Sequence, residues 1–348
     1  MKLKRGICIT LTLLGLSGVV FAEEAPPKPE YIVVNHSGGA EGEYLRKAYF
    51  DDFESLHGIK VVDASPQDFG RFRAMVESKN VEWQIVNLGP DEAVRAHNLG
   101  LLDDIDDTIV DRSNFVDTAK RSWAYNGTLY GTVIAYRNDA FPNGGPKNWA
   151  DFWDVDAFPG PRSLRNSPAD NLEIALLADG VPADEIYPID FDRAFRKLDE
   201  IYPHITVWWT TGAQQAQQLI DKEVVLTSGW NGRFYEPIRQ GADLSIEYGG
   251  MIRKQGTFGI PKGTPNAYWA QQMLAVMADP KRQAVFAELL GYSGTNKASG
   301  DFVDPTIQPL LPNHPDNAAK AGVQANDDWW GEHGEEAAER WSEWMLSK

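Results

Sequence analysis

Four short turns carry the residues of this sequence best suited to holding a ligand: His36-Ser37-Gly38-Gly39, Asn87-Leu88-Gly89, Thr211-Gly212-Ala213 and Ser228-Gly229-Trp230-Asn231-Gly232. Each adjoins a strand-like or helix-like run. Turns of this composition expose backbone N–H groups at helix N-termini, where the helix dipole favours anionic or polar groups. One such turn serves plain backbone geometry as readily as binding; four at comparable positions point to a common site. Trp208, Trp209, Trp230 and Tyr292 sit beside small-residue turns, and aromatic walls shape pockets for small organic molecules and cations. The chain has 12 Trp and 12 Tyr, so most of its aromatics belong to packing, and the stretch WWTTGAQQAQQLIDKEVVLTSGWNGRF (208–234) reads either as core or as the wall of a site.

Bond-making chemistry leaves no comparable trace. There is no G-x-S-x-G elbow, no H-E-x-x-H pair and no G-x-x-x-x-G-K-[ST] loop. The histidines at 36, 57, 97, 204, 314 and 333 include no i, i+4 pair that would make a metal-binding helix face. The single cysteine, Cys8, lies in an N-terminal segment with a basic start, an apolar run and a Val20-Phe21-Ala22 cleavage pattern. That is the pattern of a secretory signal peptide, here residues 1–22, with an uncleaved anchor as the alternative. The exported chain would then have no thiol, so it could use neither disulfides nor thiolate ligands. No cofactor and no metal are expected, and the chain is not expected to be an enzyme. The net charge of −17 opposes nucleic acid and anionic lipid as partners. A periplasmic protein, not inserted in a membrane and monomeric, is the expectation.

The elements that would position these turns alternate. The run YIVVN is a predicted strand, the segment from Ala40 to His57 a helix, IKVVDAS a strand, and WQIVNLG a third strand after an intervening helix. The helix from Pro90 has proline at its first turn and Gly100 beyond its end. Such alternation predicts an α/β fold with a largely parallel sheet. Two apolar runs, 129–137 and 223–229, bracket a helix-rich insert, as in a chain that leaves one lobe, builds a second and returns. A single doubly wound domain is the alternative. The tail from Asp327 reads as an amphipathic helix with Trp341 and Trp344 on one side.

Several segments together resemble the bacterial extracellular solute-binding proteins, and within them the spermidine/putrescine-binding type: GIKV, VEWQIVNLGPDE, NWADFWDVDAFPGPRSLRNSP, HITVWWTTGAQQAQQLIDKEV, SGWNGR and IPKGTPN. The resemblance runs in order over nearly the whole exported chain. It implies a type II periplasmic-binding-protein fold: two α/β lobes joined by strand crossovers at roughly 132–137 and 224–229, with a ligand cleft between them. The implied division is a flexible leader at 23–30, a first lobe of 31–134 plus about 249–305, a second lobe of 135–248, and a helical segment at 306–348 assigned to neither. It also implies a small-molecule ligand and the membrane permease of an ABC importer as partners. The candidate ligand contacts, from the turns, the aromatics and the resemblance together, are Ser37, Gly38, Gly39, Asn87, Thr132, Thr211, Gly212, Ala213, Trp230, Asn231, Arg233, Arg253 and Tyr292.

The charge pattern departs from a polyamine site. Asn87 stands where an aspartate is expected, and Arg253, Lys254 and Gln255 stand where negative charge is expected, with Arg165 and Arg233 nearby in the motif order. Two like charges ~4 Å apart cost about 4 kcal/mol at an effective dielectric near 20, so a guanidinium in the cleft disfavours a polyamine and suits a carboxylate. Arg253 and Lys254 could equally lie outside the cleft, and Asp170 and Glu173 could still receive an amine. The ligand expected is a small polar organic solute: an amino-acid-like molecule or carboxylate-bearing amine, or a polyamine. A polyamine-specific protein, or a secreted enzyme on the same fold, is the alternative.

Overall fold

The computed structural model describes residues 25–348; the expected signal peptide lies outside the described residues. The chain lays down β1 (Tyr31–Asn35), β2 (Lys60–Ala64), β3 (Val86–Leu88) and β4 (Leu102–Asp103) before reaching β5 (Tyr125–Arg137). It then builds β6 (Arg162–Arg165), β7 (Ile205–Trp209) and β8 (Leu226–Trp230), followed by β9 (Leu244–Pro261), β10 (Ser293–Gly294) and β11 (Val323–Gln324). β1 and β2 run parallel, and Val34 bridges Ile85 just ahead of β3. β3 and β4 pair antiparallel with the C-terminal part of β9, and β10 pairs with the first part of β5. These strands make the first lobe. In the second, the order runs β7–β6–β8–β5–β9–β11.

β5 and β9 are therefore shared. They pair antiparallel from Tyr125 opposite Phe258 to Arg137 opposite Leu244, crossing from one lobe to the other. The return crossing expected at 224–229 is not made there: β8 stays inside the second lobe, between β5 and β6. The crossing belongs to β9, whose 18 residues include a segment, LSIEYGGMIRKQ, with no clear strand pattern. The β5–β9 register slips between Thr132 and Ile134, where the partner jumps from Ile252 to Glu247. Gly249 and Gly250 occupy that bulge. A Cβ on Gly249 would lie 1.8 Å from the Lys147 carbonyl oxygen, and Gly250 has φ +77°, so both positions require glycine.

Each lobe has its own apolar core. Ile32, Phe50, Phe53, Met273 and Leu274 are fully buried in the first, and Leu164, Leu172, Ile174, Leu198 and Leu226 in the second. The segment expected to be a flexible leader is fastened to the first lobe: the Trp269 indole donates to the Pro27 carbonyl at 3.1 Å, Lys28 donates to His57 O at 2.8 Å, and the Lys60 N–H to Glu30 O at 3.0 Å.

The C-terminal helix Asp327–Leu346 is rooted in the second lobe by its tryptophans. The indole N–H groups of Trp330, Trp341 and Trp344 donate to Glu173, Asn166 and Asp199 at 2.7, 3.0 and 2.8 Å. Its first turns reach across to the first lobe, where Asp328 takes a two-pronged hydrogen bond from Arg121 at 2.7 and 3.2 Å. There Gly331 lies against Val94 so closely that a Cβ would stand 2.5 Å from a valine methyl. Gly331→Val is expected to set the lobes apart, because relief of an overpacked contact worth about 1–3 kcal/mol is available through hinge motion. Small-angle scattering should then show a larger ligand-bound radius than wild type, with the unfolding midpoint nearly unchanged; an unchanged radius would show that the helix is not a contact of the closed form.

Candidate functional site

Between the lobes lies a cavity of about 1240 Å³. Its walls come from the strand ends and helix starts that the topology turns toward the interlobe space, as in other open α/β sheets. The inner wall is built on Trp230, the last residue of β8. The Arg165 guanidinium stands 5.3 Å from its ring centroid and that of Arg233 stands 6.0 Å away. Arg165 closes β6, and Arg233 lies in the first turn of the helix Asn231–Arg239. Gly212 lets Arg233 pass over the start of its own helix: a Cβ there would sit 2.9 Å from the Arg233 Nε. The Trp230 indole N–H is buried and has no acceptor among the described residues.

Beneath this wall is a buried ion cluster. Asp170, 2 % exposed and at φ +74°, sits where the helix Pro168–Ala178 begins. One carboxylate oxygen contacts the Lys254 ammonium and the other lies 3.6 Å from Arg165. Asp is among the few non-glycine residues that tolerate a positive φ, so sequence chemistry and backbone agree at this point. Glu173, one turn on, accepts from Tyr187 at 2.6 Å and from Trp330 at 2.7 Å, with its second oxygen unpartnered. Burial raises the Glu173 pKa, and the neighbouring Asp170 charge adds to the rise.

The opposite wall supplies Tyr130 and Tyr292, stacked with centroids 4.8 Å apart, and Glu41, which accepts from the Ser37 hydroxyl. Burial pushes Glu41 up to about 7 against the opposing pull of Arg233, and pushes Asp327 up to about 6 against Arg121 and Lys254. At the mouth, the Tyr44 hydroxyl of the first lobe donates to Glu236 of the second at 3.0 Å.

Of the residues expected at the site, Ser37, Asn87, Gly212, Ala213, Trp230, Arg233 and Tyr292 line the cavity. The others have structural positions. Thr211 caps a helix, its N–H donating to Gln214 at 3.0 Å. Asn231 ties β5 to the first lobe by accepting from the Gly131 N–H at 3.0 Å and donating to Gly291 O at 2.6 Å. Thr132 is buried in the sheet, and Gly38 is fixed by its N–H to His36 at 3.0 Å. Gly39 precedes a helix at φ +62° and, like these, is not part of the lining. Arg253 points to the face opposite Lys254, because side chains alternate along a strand; its carbonyl receives Ala325 N–H at 2.9 Å. Lys254 is the cation that this segment brings into the cleft.

Asn87 accepts from Gln67 and donates to Thr257 O at 3.1 Å, tying β3 to β9. Of the tryptophans in 208–234, Trp208 packs on Trp341 and Trp344 at 5.6 and 5.9 Å, and Trp209 is buried with its N–H on Ser228 O at 3.1 Å. That stretch is core at its start and site wall at its end. Glu41, Tyr130 and Asp327 were not legible as site residues, since each reads locally as part of an ordinary helix or strand.

The family profile for bacterial extracellular solute-binding proteins matches residues 48–319. The chain belongs to this family. A γ-aminobutyric acid (GABA)-binding protein of Pseudomonas aeruginosa is 34 % identical over 339 residues, covering 95 % of each chain. A solved GABA receptor superposes with a TM-score of 0.84 at 33 % identity, covering 90 % of this chain and 97 % of the other. An ABC transporter substrate-binding protein from Bradyrhizobium japonicum gives 0.86 at 35 %, over 91 % of this chain and all (100 %) of the other. These neighbours have the two-lobe type II architecture described above. Among the described residues, no group of three or more His, Cys, Asp and Glu could hold a metal ion, and no helix is long and apolar enough to cross a membrane.

Two outcomes follow from this geometry. Asp170→Asn keeps a residue that accepts positive φ but leaves Lys254 and Arg165 unpaired, and should lower unfolding free energy by about 3 kcal/mol. Adding Lys254→Met should restore most of the loss in urea denaturation; no recovery would show that the pair is not coupled. The second concerns pH. The raised Glu41 pKa means that its contribution to stability is full below 4.5 and lost as pH climbs through about 7. Glu41→Gln is therefore expected to flatten the fall in melting temperature across that window.

Proposed function

We propose that the protein is the exported, periplasmic capture subunit of an ABC importer and that its ligand is a small amino-acid-like zwitterion, with GABA as the leading candidate. The cleft carries this reading by presenting both charge signs around one aromatic face: Arg165 and Arg233 beside Trp230, with buried Asp170 in contact with Arg165 and Lys254. A guanidinium pair suits a carboxylate, with two-pronged hydrogen bonding, while the acidic set that includes Glu173 and Asp327 suits an ammonium group. The unpaired indole N–H of Trp230 offers a further donor. The GABA-binding relative and the solved GABA receptor support the same class of ligand. Capture would work by population shift: a ligand touching both lobes favours the closed arrangement about β5 and β9. That form would be presented to the permease, with the protein acting as a monomer.

A polyamine is the second reading, supported by Glu41, Glu173 and Asp327 on the cavity wall. The three cations of the inner wall oppose it. Calorimetric titration with GABA, putrescine and glutarate separates the possibilities. GABA is expected to bind and putrescine not to; putrescine binding alone would overturn the zwitterion reading. Trp230→Ala is expected to cost about 2 kcal/mol of binding, roughly thirtyfold in Kd, with the melting temperature of the free protein nearly unchanged. Global unfolding instead would assign Trp230 to the core.

A further inference from the structure

We propose that the outer half of the cleft is a second anion subsite built on Arg95, which selects amino-acid ligands carrying a second carboxylate at the end of a short chain. The inference rests on capture in the cleft as argued above and names a finer ligand class for it. The cavity of about 1240 Å³ exceeds the ~300–1,000 Å³ that holds a drug-sized molecule, and far exceeds a four-carbon amino acid. Its lining follows the helix Pro90–Asn98 outward to Leu99 and the helix Gly212–Ile220 to its last residue. A nine-residue helix is about 13 Å long, which places Arg95 roughly 8 Å along the helix from Pro90.

Arg95 is held ready for an acceptor. Its guanidinium carbon lies 4.0 Å from the centroid of the Phe69 ring. Its Nε is buried without a partner, and no ion pair or hydrogen bond to the side chain exists among the described residues. Of the charges nearest in sequence, Glu92 accepts from the Gly89 N–H at 3.0 Å and also feels the Arg95 charge, and Asp91 shares the cavity lining. Arg73, the other guanidinium of this outer wall, donates to Glu77 at 2.7 Å. A flat guanidinium on an aromatic face with an unsatisfied buried N–H suits a carboxylate. Beyond this anion position, at the outer ends of the two helices, Leu99 and Ile220 are 48 % and 44 % exposed on opposite lobes, giving the rim apolar sides. The ligand class is thus an α-amino acid whose side chain ends in a second carboxylate, such as the γ-glutamyl conjugate of GABA.

The competing role for Arg95 is closure, by pairing with Glu332 or Glu335, which the C-terminal helix turns toward the same cavity. Calorimetry with GABA and with its γ-glutamyl conjugate, on wild type, Arg95→Gln and Arg95→Lys, decides between them. Wild type should bind the conjugate about tenfold more tightly than GABA, as expected for one charge-assisted hydrogen-bonded contact. Arg95→Gln should abolish that advantage while leaving the GABA Kd within about twofold, and Arg95→Lys should recover part of it. Equal losses for both ligands would overturn the subsite and make Arg95 a closure contact. GABA binding without conjugate binding would also overturn it while sparing the capture reading, and a wild type silent to both would sink the two together.

Discussion

The antiparallel pairing of β5 with β9 is the constraint on which the rest depends. These are the strands common to both lobes, and their register holds from Tyr125–Phe258 to Arg137–Leu244 apart from local slips. Everything else in each lobe hangs on one end of this ribbon. The bulge at Gly249 and Gly250 interrupts the ladder within the second-lobe half of the ribbon, next to Thr132 and Ile252. A ribbon with a bulge can twist while keeping most of its hydrogen bonds.

The cleft concentrates charge where burial makes it costly. Asp170 compensates both Lys254 and Arg165, and taking it away leaves two cations without a partner in a poorly solvated site. Glu41 and Asp327 respond instead by shifting toward the neutral form. The inner wall therefore offers paired charges that a zwitterion can exchange partners with, with no net change of charge in the site. A singly charged ligand would leave part of the cluster unpaired.

The tryptophans divide the labour. Trp341 and Trp344 seat the terminal helix on the second lobe through both ring contacts and indole N–H bonds. Gly331 then brings the start of the same helix within reach of the first lobe. A helix rooted on one side and touching the other reports the separation of the lobes at its free end. Trp230 keeps its ring for the cavity because Trp209, packed edge-on at 5.8 Å, fills the core behind it.

The sequence alone determined the α/β class, the two-lobe architecture, the family and the turns that reach the cleft, because periodicity, small-residue turns and motif order are local properties. It also pointed to Trp230 and Arg233, which line the cavity. Only the tertiary structure decided that β9, rather than β8, makes the return crossing. Its glycine bulge and charged residues hide a strand whose hydrogen bonds come from distant partners. Only the fold decided that Lys254 and not Arg253 enters the cleft, since one residue of register reverses every side chain along a strand. Glu41, Tyr130 and Asp327 lie far apart in the chain, and only the packing of two lobes about one ribbon brings them to the same cavity.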